Sequence, residues 1–237
     1  MQVLAGADGS GFVFFGVIIL IAGVAIVWAI IQGSHAKKNL TELAGRLQIY
    51  PNPDLRIPTI ERSSTKSTFN LNLGGPASEL GIMGKVRDRT LRISRYTTGS
   101  GKSQVTWAEL AVSTHDNGFT FSLRRENIGW KLVELLGFHE VTLGDEAFDK
   151  RWRINASDAA TLQALLLPEL REKINASAAQ FGAFTLENDW IRYREQGVFS
   201  NDKLVARFEG MVGLMCDLAE AIEVATGNYR QFSPNSP

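Results

Sequence analysis

Residues 12–31 read FVFFGVIILIAGVAIVWAII, and this stretch divides the chain into two unlike parts. Its twenty residues include no charged side chain. A helix rises about 1.5 Å per residue, so a helix of this length matches the roughly 30 Å hydrocarbon core of a bilayer. The stretch therefore predicts a single transmembrane helix over residues 12–31, preceded by a short extracytoplasmic N-terminus over residues 1–11.

The flanking charges predict the direction of this helix. The N-terminal side carries only Asp8, whereas Lys37 and Lys38 follow the apolar run. Positive charge is retained on the cytoplasmic side of a membrane, so we expect the N-terminus outside and the rest of the chain in the cytoplasm. A cleaved signal peptide is the alternative, since residues 34–36 have a small-x-small pattern. No basic residue precedes the run, and the run is longer than a signal peptide needs, which favours the anchor.

Composition indicates a globular domain after the anchor. The chain has 237 residues, of which 44% are hydrophobic and 21% charged, and this balance is ordinary for a protein with a buried core. The formal net charge is zero, so nothing global indicates a nucleic-acid partner. The single cysteine, Cys216, excludes an internal disulfide and a Cys-x-x-Cys metal site, and we predict that it is a core residue.

The segments after the anchor differ in pattern. Residues 32–59 predict a juxtamembrane helix, over 35–48, and a linker containing Pro51, Pro53 and Pro58. Residues 60–227 predict one soluble α+β domain, and residues 228–237 predict a flexible tail.

Period-two and period-3.6 patterns predict the elements of the soluble domain. The fold class we expect is antiparallel strands with helices packed on one side and a long C-terminal amphipathic helix. Strands are predicted at 69–73, 84–96, 104–113 and 119–123, a helix at 127–136, two short strands within 138–154, helices after an N-cap at Ser157 and from Pro168, a hairpin over 182–195, and the amphipathic helix over 204–222.

One basic segment is a candidate binding site. It places five cations in eleven residues, namely Lys85, Arg87, Arg89, Arg92 and Arg95. Facing a bilayer, such a patch would bind anionic lipid headgroups, at about 1 kcal/mol per basic residue near the surface. Facing away from the bilayer, it could bind nucleic acid. The alternative is a solvated strand face whose charge is offset by nearby acids such as Asp88 and Glu109.

A second candidate is a metal site built from His139, Asp145 and Asp149. Carboxylates and imidazole suit Mg, Mn or Zn, and such a site would make the protein a metal-dependent hydrolase or nuclease. The alternative is structural: Gly144 and Asp145 form a tight turn, Asp149 caps it, and the neighbouring Phe148 fills the core. Apart from this alternative, the sequence indicates no cofactor.

Two further motifs favour turns over chemistry. Residues 99–103 read GSGKS, but the position where a phosphate-binding loop needs its first glycine is Tyr96, and a strand follows instead of a helix. We therefore predict a hairpin loop there. His115 and Asp116 could orient a general base, but they stand before Asn117-Gly118, which is ordinary turn chemistry.

Several phrases resemble uncharacterised bacterial proteins with one N-terminal anchor and a cytosolic α+β domain. They are Glu42-Leu43-Ala44 with Leu47, Gly81 with Gly84, the Gly-Asp-x-x-Phe-Asp of residues 144–149, and the Leu-Leu-Leu-Pro-Glu-Leu-Arg of residues 165–171. The resemblance spans about residues 40–220 and implies a bacterial inner-membrane location. It carries no activity and no catalytic residue.

The sequence as a whole favours a non-enzymatic binding module. We expect it to contact the bilayer through residues 12–31 and to bind a protein partner or anionic lipid headgroups through its cytoplasmic domain.

Overall fold

The computed structural model describes residues 10–49, 81–99, 101–125 and 139–227. At residues 10–23, 25, 26, 101, 139 and 140 only the backbone is described. The predicted strand at 69–73, the proline-containing linker, the predicted helix at 127–136 and the predicted tail lie outside the described residues.

The described strands form one sheet in which every neighbouring pair is antiparallel. The eight strands lie in the order β1-β2-β3-β8-β7-β4-β6-β5. Their bounds are β1 Gly81–Val86, β2 Arg89–Thr98, β3 Val105–Ser113, β4 Phe121–Arg125, β5 His139–Glu140, β6 Trp152–Ala156, β7 Ala183–Glu187 and β8 Trp190–Gln196.

The described residues also form α-helices that cover one face of this sheet, which we call the inner face. They are α1 Ser10–Arg46, α2 Glu146–Asp149, α3 Ala159–Leu165, α4 Pro168–Ser177 and α5 Asp202–Ala225, with a short 3-10 turn over Gly101–Ser103. Pro168 begins α4, as the sequence predicts, because the first helical position needs no backbone N–H.

Alternation along the strands explains why the helices pack on one side only. Leu91 and Ile93 of β2 pair in register with Val112 and Leu110 of β3, and all four are buried in the core. The helices add their own apolar stripes to the same core, above all α5 with Phe208, Met211, Met215, Leu218 and Ile222. This arrangement confirms the predicted α+β class, the antiparallel sheet and the long C-terminal helix.

The predicted strand over 84–96 is wrong, because two strands occupy it. β1 and β2 are joined at Arg87 and Asp88, whose φ angles of 48° and 62° form a tight hairpin turn. Two consecutive residues with positive φ match the right-handed twist of the flanking strands. The first turn position is Arg87, where neither the glycine nor the asparagine that favours positive φ stands, so turn chemistry gives only a weak signal here.

Two local predictions between the strands also need correction. Two short strands flank Gly144, as predicted, but the second, β6, begins only at Trp152, because α2, whose N-cap is Asp145, occupies residues 146–149. The N-cap of α3 is Asp158 instead of Ser157, since the Asp158 carboxylate accepts from the backbone N–H groups of Ala160 and Thr161. Ser157 instead accepts from the backbone N–H of Thr120 at 3.1 Å.

Helix α1 joins two predicted segments. It runs without a break through the predicted anchor and most of the predicted juxtamembrane helix, and it ends at Arg46. The described residues contain no helix that is long and apolar enough to cross a membrane, and the side chains of residues 10–23, 25 and 26 lie outside that description.

Candidate anion-binding face of the sheet

The five cations of the predicted basic patch do not share a face. Arg87 donates to Asp217 of α5 at 2.7 Å, and Arg89 holds both carboxylate oxygens of Glu223 at 2.7 and 2.8 Å. These two arginines fasten α5 to the first hairpin. Arg95 also lies on the inner face, as Arg89 does, because its register partner on β3 is the core residue Ala108.

Lys85 and Arg92 lie on the opposite face, which we call the outer face. Lys85 is exposed, whereas Arg92 is buried and donates to Glu109 at 2.8 Å. The sequence named Glu109 as an acid that offsets the patch, and this contact agrees with that alternative.

The predicted metal ligands have structural partners. Asp145 accepts from the backbone N–H of Phe148 at 3.1 Å, and Asp149 accepts from that of Leu143 at 3.1 and 3.2 Å. Phe148 is fully buried. The side chain of His139 lies outside the described residues, and the described residues contain no group of three or more potential ligands that could hold a metal ion.

The other motifs form turns. Asp116 accepts from Gly118 at 2.9 Å and from the backbone of Asp189 at 2.9 Å, while Asp189 accepts in return from the backbone of Asp116. This reciprocal pair joins two loops. Residues 101–103 form the 3-10 turn that leads into β3.

Burial raises the pKa of the Cys216 thiol, and Cys216 is a core residue, as predicted.

The outer face carries long cationic side chains at regular intervals. Arg92 of β2 faces Ala111 of β3, which faces Arg192 of β8. The same row continues through Thr185 of β7 to Ser122 of β4. Because a sheet alternates its side chains, all five point away from the helix-covered face.

A neighbouring row repeats this arrangement with one acid. Ser94 of β2 faces Glu109 of β3, which faces Arg194 of β8, and the row goes on through Ala183 to Arg124 of β4. Small residues thus stand between the cations in both rows.

Two arginines, Arg92 and Arg194, meet at Glu109, and Arg192 lies two residues from Arg194 on the same face of β8. We call Arg92, Arg192, Arg194 and Glu109 the arginine cluster. Glu109 is 2% exposed, and its two oxygens accept from Arg92 at 2.8 Å and from Arg194 at 2.7 Å. Arg192 donates to the backbone carbonyl of Glu187 at 3.2 Å. Within the described part of the chain, Glu109 is the buried carboxylate that Arg92 and Arg194 share.

Aromatic rings support the cluster. The Arg92 guanidinium lies 5.5 Å from the ring centroid of Trp190, and that of Arg194 lies 5.7 Å from the ring of Tyr96. Trp190 is on β8, two strands from Arg92, so the Arg92 side chain extends across β3 and over Ala111. Aromatic faces attract guanidinium groups and hold them in place.

The pKa shifts within the cluster differ in direction. Burial lowers the pKa of Arg192, Glu109 and Glu187 oppose this, and Arg194 and Arg92 add to it. Burial also opposes the charge of Arg194, but Tyr96 and Glu109 outweigh it, so the pKa of Arg194 is instead raised. Burial, and then Arg194, lower the pKa of Arg124. Burial alone would raise the pKa of Glu109, but Arg194 and Arg92 outweigh burial and bring it below its ordinary value.

Polar atoms without a partner lie along the same face. Three of the four such buried atoms in the described structure are on this face, namely Nε of Arg92, Nε of Arg192 and Oγ of Ser122, whereas the fourth, Nε of Arg125, is on the inner face. All three residues are more than nine-tenths buried. Buried donors are normally satisfied, so three in one register row call for an explanation.

Sequence reasoning missed Arg192 and Arg194, although their signal was present. In Trp190–Gln196, WIRYREQ, these arginines alternate with the apolar Ile191 and Tyr193. The alternation places both arginines on the face opposite the core. It does not reveal which strand of the first hairpin they meet, because β3 pairs with β8 over a long sequence separation.

Comparisons with known proteins give one structural neighbour to report. It is the crystal structure of the mycobacterial trehalose monomycolate transport factor A, TtfA, with a TM-score of 0.40 and 11% sequence identity over 61% of this chain and 71% of that chain. No protein-family model and no curated protein matches the chain.

Proposed function

We propose that this protein is a membrane-tethered binding module whose cytoplasmic domain presents the arginine cluster to an anionic partner. Residues 12–31 form the anchor, with the N-terminus outside. The domain binds instead of catalysing a reaction, and its partner is a protein or an anionic lipid headgroup.

The proposed membrane tether rests on a change of environment along α1. The C-terminal part of the helix packs into the domain, where Ala36 is 1% and Leu40 is 2% exposed. The part before it exposes large apolar side chains, with Val27 at 56%, Trp28 at 64% and Ile30 at 66%. Contiguous exposed apolar surface of this kind marks contact with a membrane or another protein.

The uninterrupted helix favours the membrane over a soluble partner. The exposed residues continue directly from the uncharged run that begins at Phe12. Between Ile31 and Ala36 the helix advances only about 7–8 Å, so the domain would lie close to the bilayer. Lys37 and Lys38 are exposed at this junction, and cations there favour the cytoplasmic side.

Alkaline extraction of membranes from cells that express the full chain tests the tether. We expect the chain to stay with the membrane pellet. The double variant Leu20→Asp with Val24→Asp should move it to the supernatant, because each aspartate at the centre of a span costs about 2.5–3.5 kcal/mol.

The matched control is Leu20→Ile with Val24→Ile, which keeps the run apolar and should stay in the pellet. Release of the wild-type chain by alkali would overturn the tether. Protease added from the periplasmic side should leave the domain intact, and its digestion there would contradict the proposed direction.

A further inference from the structure

We propose that the arginine cluster, together with Ser122, binds a phosphate-type oxyanion. The proposal deepens the proposed function, since it names the chemistry of the same sheet face, but it does not depend on the tether. The phosphate group could belong to a lipid headgroup or to a soluble phosphate compound.

Charge balance is the first argument. The cluster holds three arginines and one glutamate, which is a surplus of two positive charges within the cluster itself. Glu187, an exposed residue whose backbone carbonyl accepts from Arg192, opposes this surplus from the surface, since its charge raises the pKa of Arg192 and of Arg194. Buried charge is costly unless it is paired, and a bound dianion would pair this surplus.

The second argument is the set of donors that lack a partner. Nε of Arg92, Nε of Arg192 and Oγ of Ser122 are buried N–H or O–H groups with no hydrogen-bond partner in the described structure. They lie in one register row, and that row is beside the charge surplus. One oxyanion between the arginines could accept from more than one of these groups.

Spacing is the third argument. Neighbouring strands lie about 4.8 Å apart, so Arg92 and Arg192, on either side of β3, start roughly 10 Å apart. Both side chains are long enough to reach over Ala111, which stands between them in the row. Thr185 stands in the same way between Arg192 and Ser122.

The donor set fits phosphate better than a lone carboxylate. A guanidinium group is planar and can donate two parallel hydrogen bonds to two oxygens of one phosphate group. A phosphate group offers oxygens in several directions, whereas a carboxylate presents two in one plane. The surplus of two charges equals the charge of a phosphate monoester near neutral pH.

The test is a titration of the full chain, held in neutral detergent, with inorganic phosphate at constant ionic strength set by chloride. We expect saturable binding by calorimetry. Arg192→Gln should raise Kd about tenfold or more, because it removes a charged donor. Ser122→Ala should raise Kd about three- to tenfold.

Arg87→Gln is the matched control. It removes one arginine from the same protein, but its partner Asp217 is on α5, and so phosphate affinity should not change. Ser122→Ala also separates binding from folding. Its hydroxyl has no partner, so the melting temperature without phosphate should stay the same or rise, and the variant remains informative if Arg192→Gln fails to fold.

Two further titrants identify the source of the phosphate. Tighter binding of glycerol 3-phosphate than of phosphate indicates a soluble compound. Cluster-dependent binding to nanodiscs with phosphatidic acid, and not to those with phosphatidylcholine alone, indicates a headgroup. Absence of saturable phosphate binding, or binding that both site variants leave unchanged, would overturn the proposal, whatever the extraction experiment shows for the tether.

Discussion

The arginines on the two faces of the sheet are paired in different ways. On the inner face, Arg89 forms an ion pair with Glu223. Arg207 of α5 forms an ion pair with Glu195 of β8, which is 1% exposed. On the outer face, Arg92 and Arg194 both donate to the Glu109 carboxylate, and Arg192 donates to the backbone carbonyl of Glu187. These two inner pairs are matched one to one, whereas the outer set is not. Elsewhere on the inner face, Asp217 accepts from both Arg87 and Lys173, and Arg125 donates to a backbone carbonyl and lies over the Trp152 ring.

This difference separates cations that hold the fold from cations that are available to a partner. The inner pairs connect α5 to the strands, so their charge is used within the molecule. Among the described residues, the third arginine of the outer cluster, Arg192, forms no ion pair, and burial lowers its pKa against the opposing charges of Glu109 and Glu187. An unbalanced buried charge is a recognised mark of functional sites.

The largest effect is expected from removing the one acid of the outer cluster. Glu109→Gln leaves three arginines close together without a carboxylate, and we expect the free energy of unfolding in chloride to fall by about 3–5 kcal/mol. Urea denaturation measures this. Phosphate should then stabilise the variant more than it stabilises the wild-type chain, and equal stabilisation would count against a charge surplus.

Breaking an inner pair should come next in size. Arg207→Gln leaves the buried Glu195 carboxylate with one donor among the described residues, the Tyr193 hydroxyl, and we expect the free energy of unfolding to fall by about 2 kcal/mol. Phosphate affinity should be unchanged, since Arg207 is on the other side of the sheet. A variant as stable as wild type would show that the inner pairs do not hold α5.

Acid should weaken both faces. Burial alone would raise the pKa of Glu109 and of Glu223, but their arginine partners outweigh it and bring both below the ordinary value of 4.5. The unfolded chain therefore binds more protons, so this stabilisation is complete above pH 4.5 and is lost as pH falls through the depressed values. Urea titrations between pH 7 and pH 3 should show a steady loss, and a rise would contradict the pairing.

Local patterns predicted the elements that depend on alternation or helical period. The hairpin over 182–195 has its turn at Asn188 and Asp189, both with positive φ, and the amphipathic pattern from Leu204 marks α5. Each of these rests on residues close in the sequence, which is why the sequence sufficed.

The candidate site depends on long-range pairing, and here the sequence did not suffice. It grouped Arg87, Arg89 and Arg92 because they are close in the chain, but the turn at Arg87-Asp88 and the alternation of β2 send them to different faces. Arg192 and Arg194 join Arg92 only through the register of β3 with β8. No local pattern specifies that register.

The most direct test is the free energy of unfolding of Arg192→Gln, measured by urea denaturation in chloride buffer without phosphate. If the outer cluster holds surplus positive charge, the variant should be as stable as wild type or more stable, since it relieves the crowding around Arg192. A loss of about 2 kcal/mol or more, like that expected for Arg207→Gln, would mean that Arg192 is a structural cation, and would contradict the difference between the two faces.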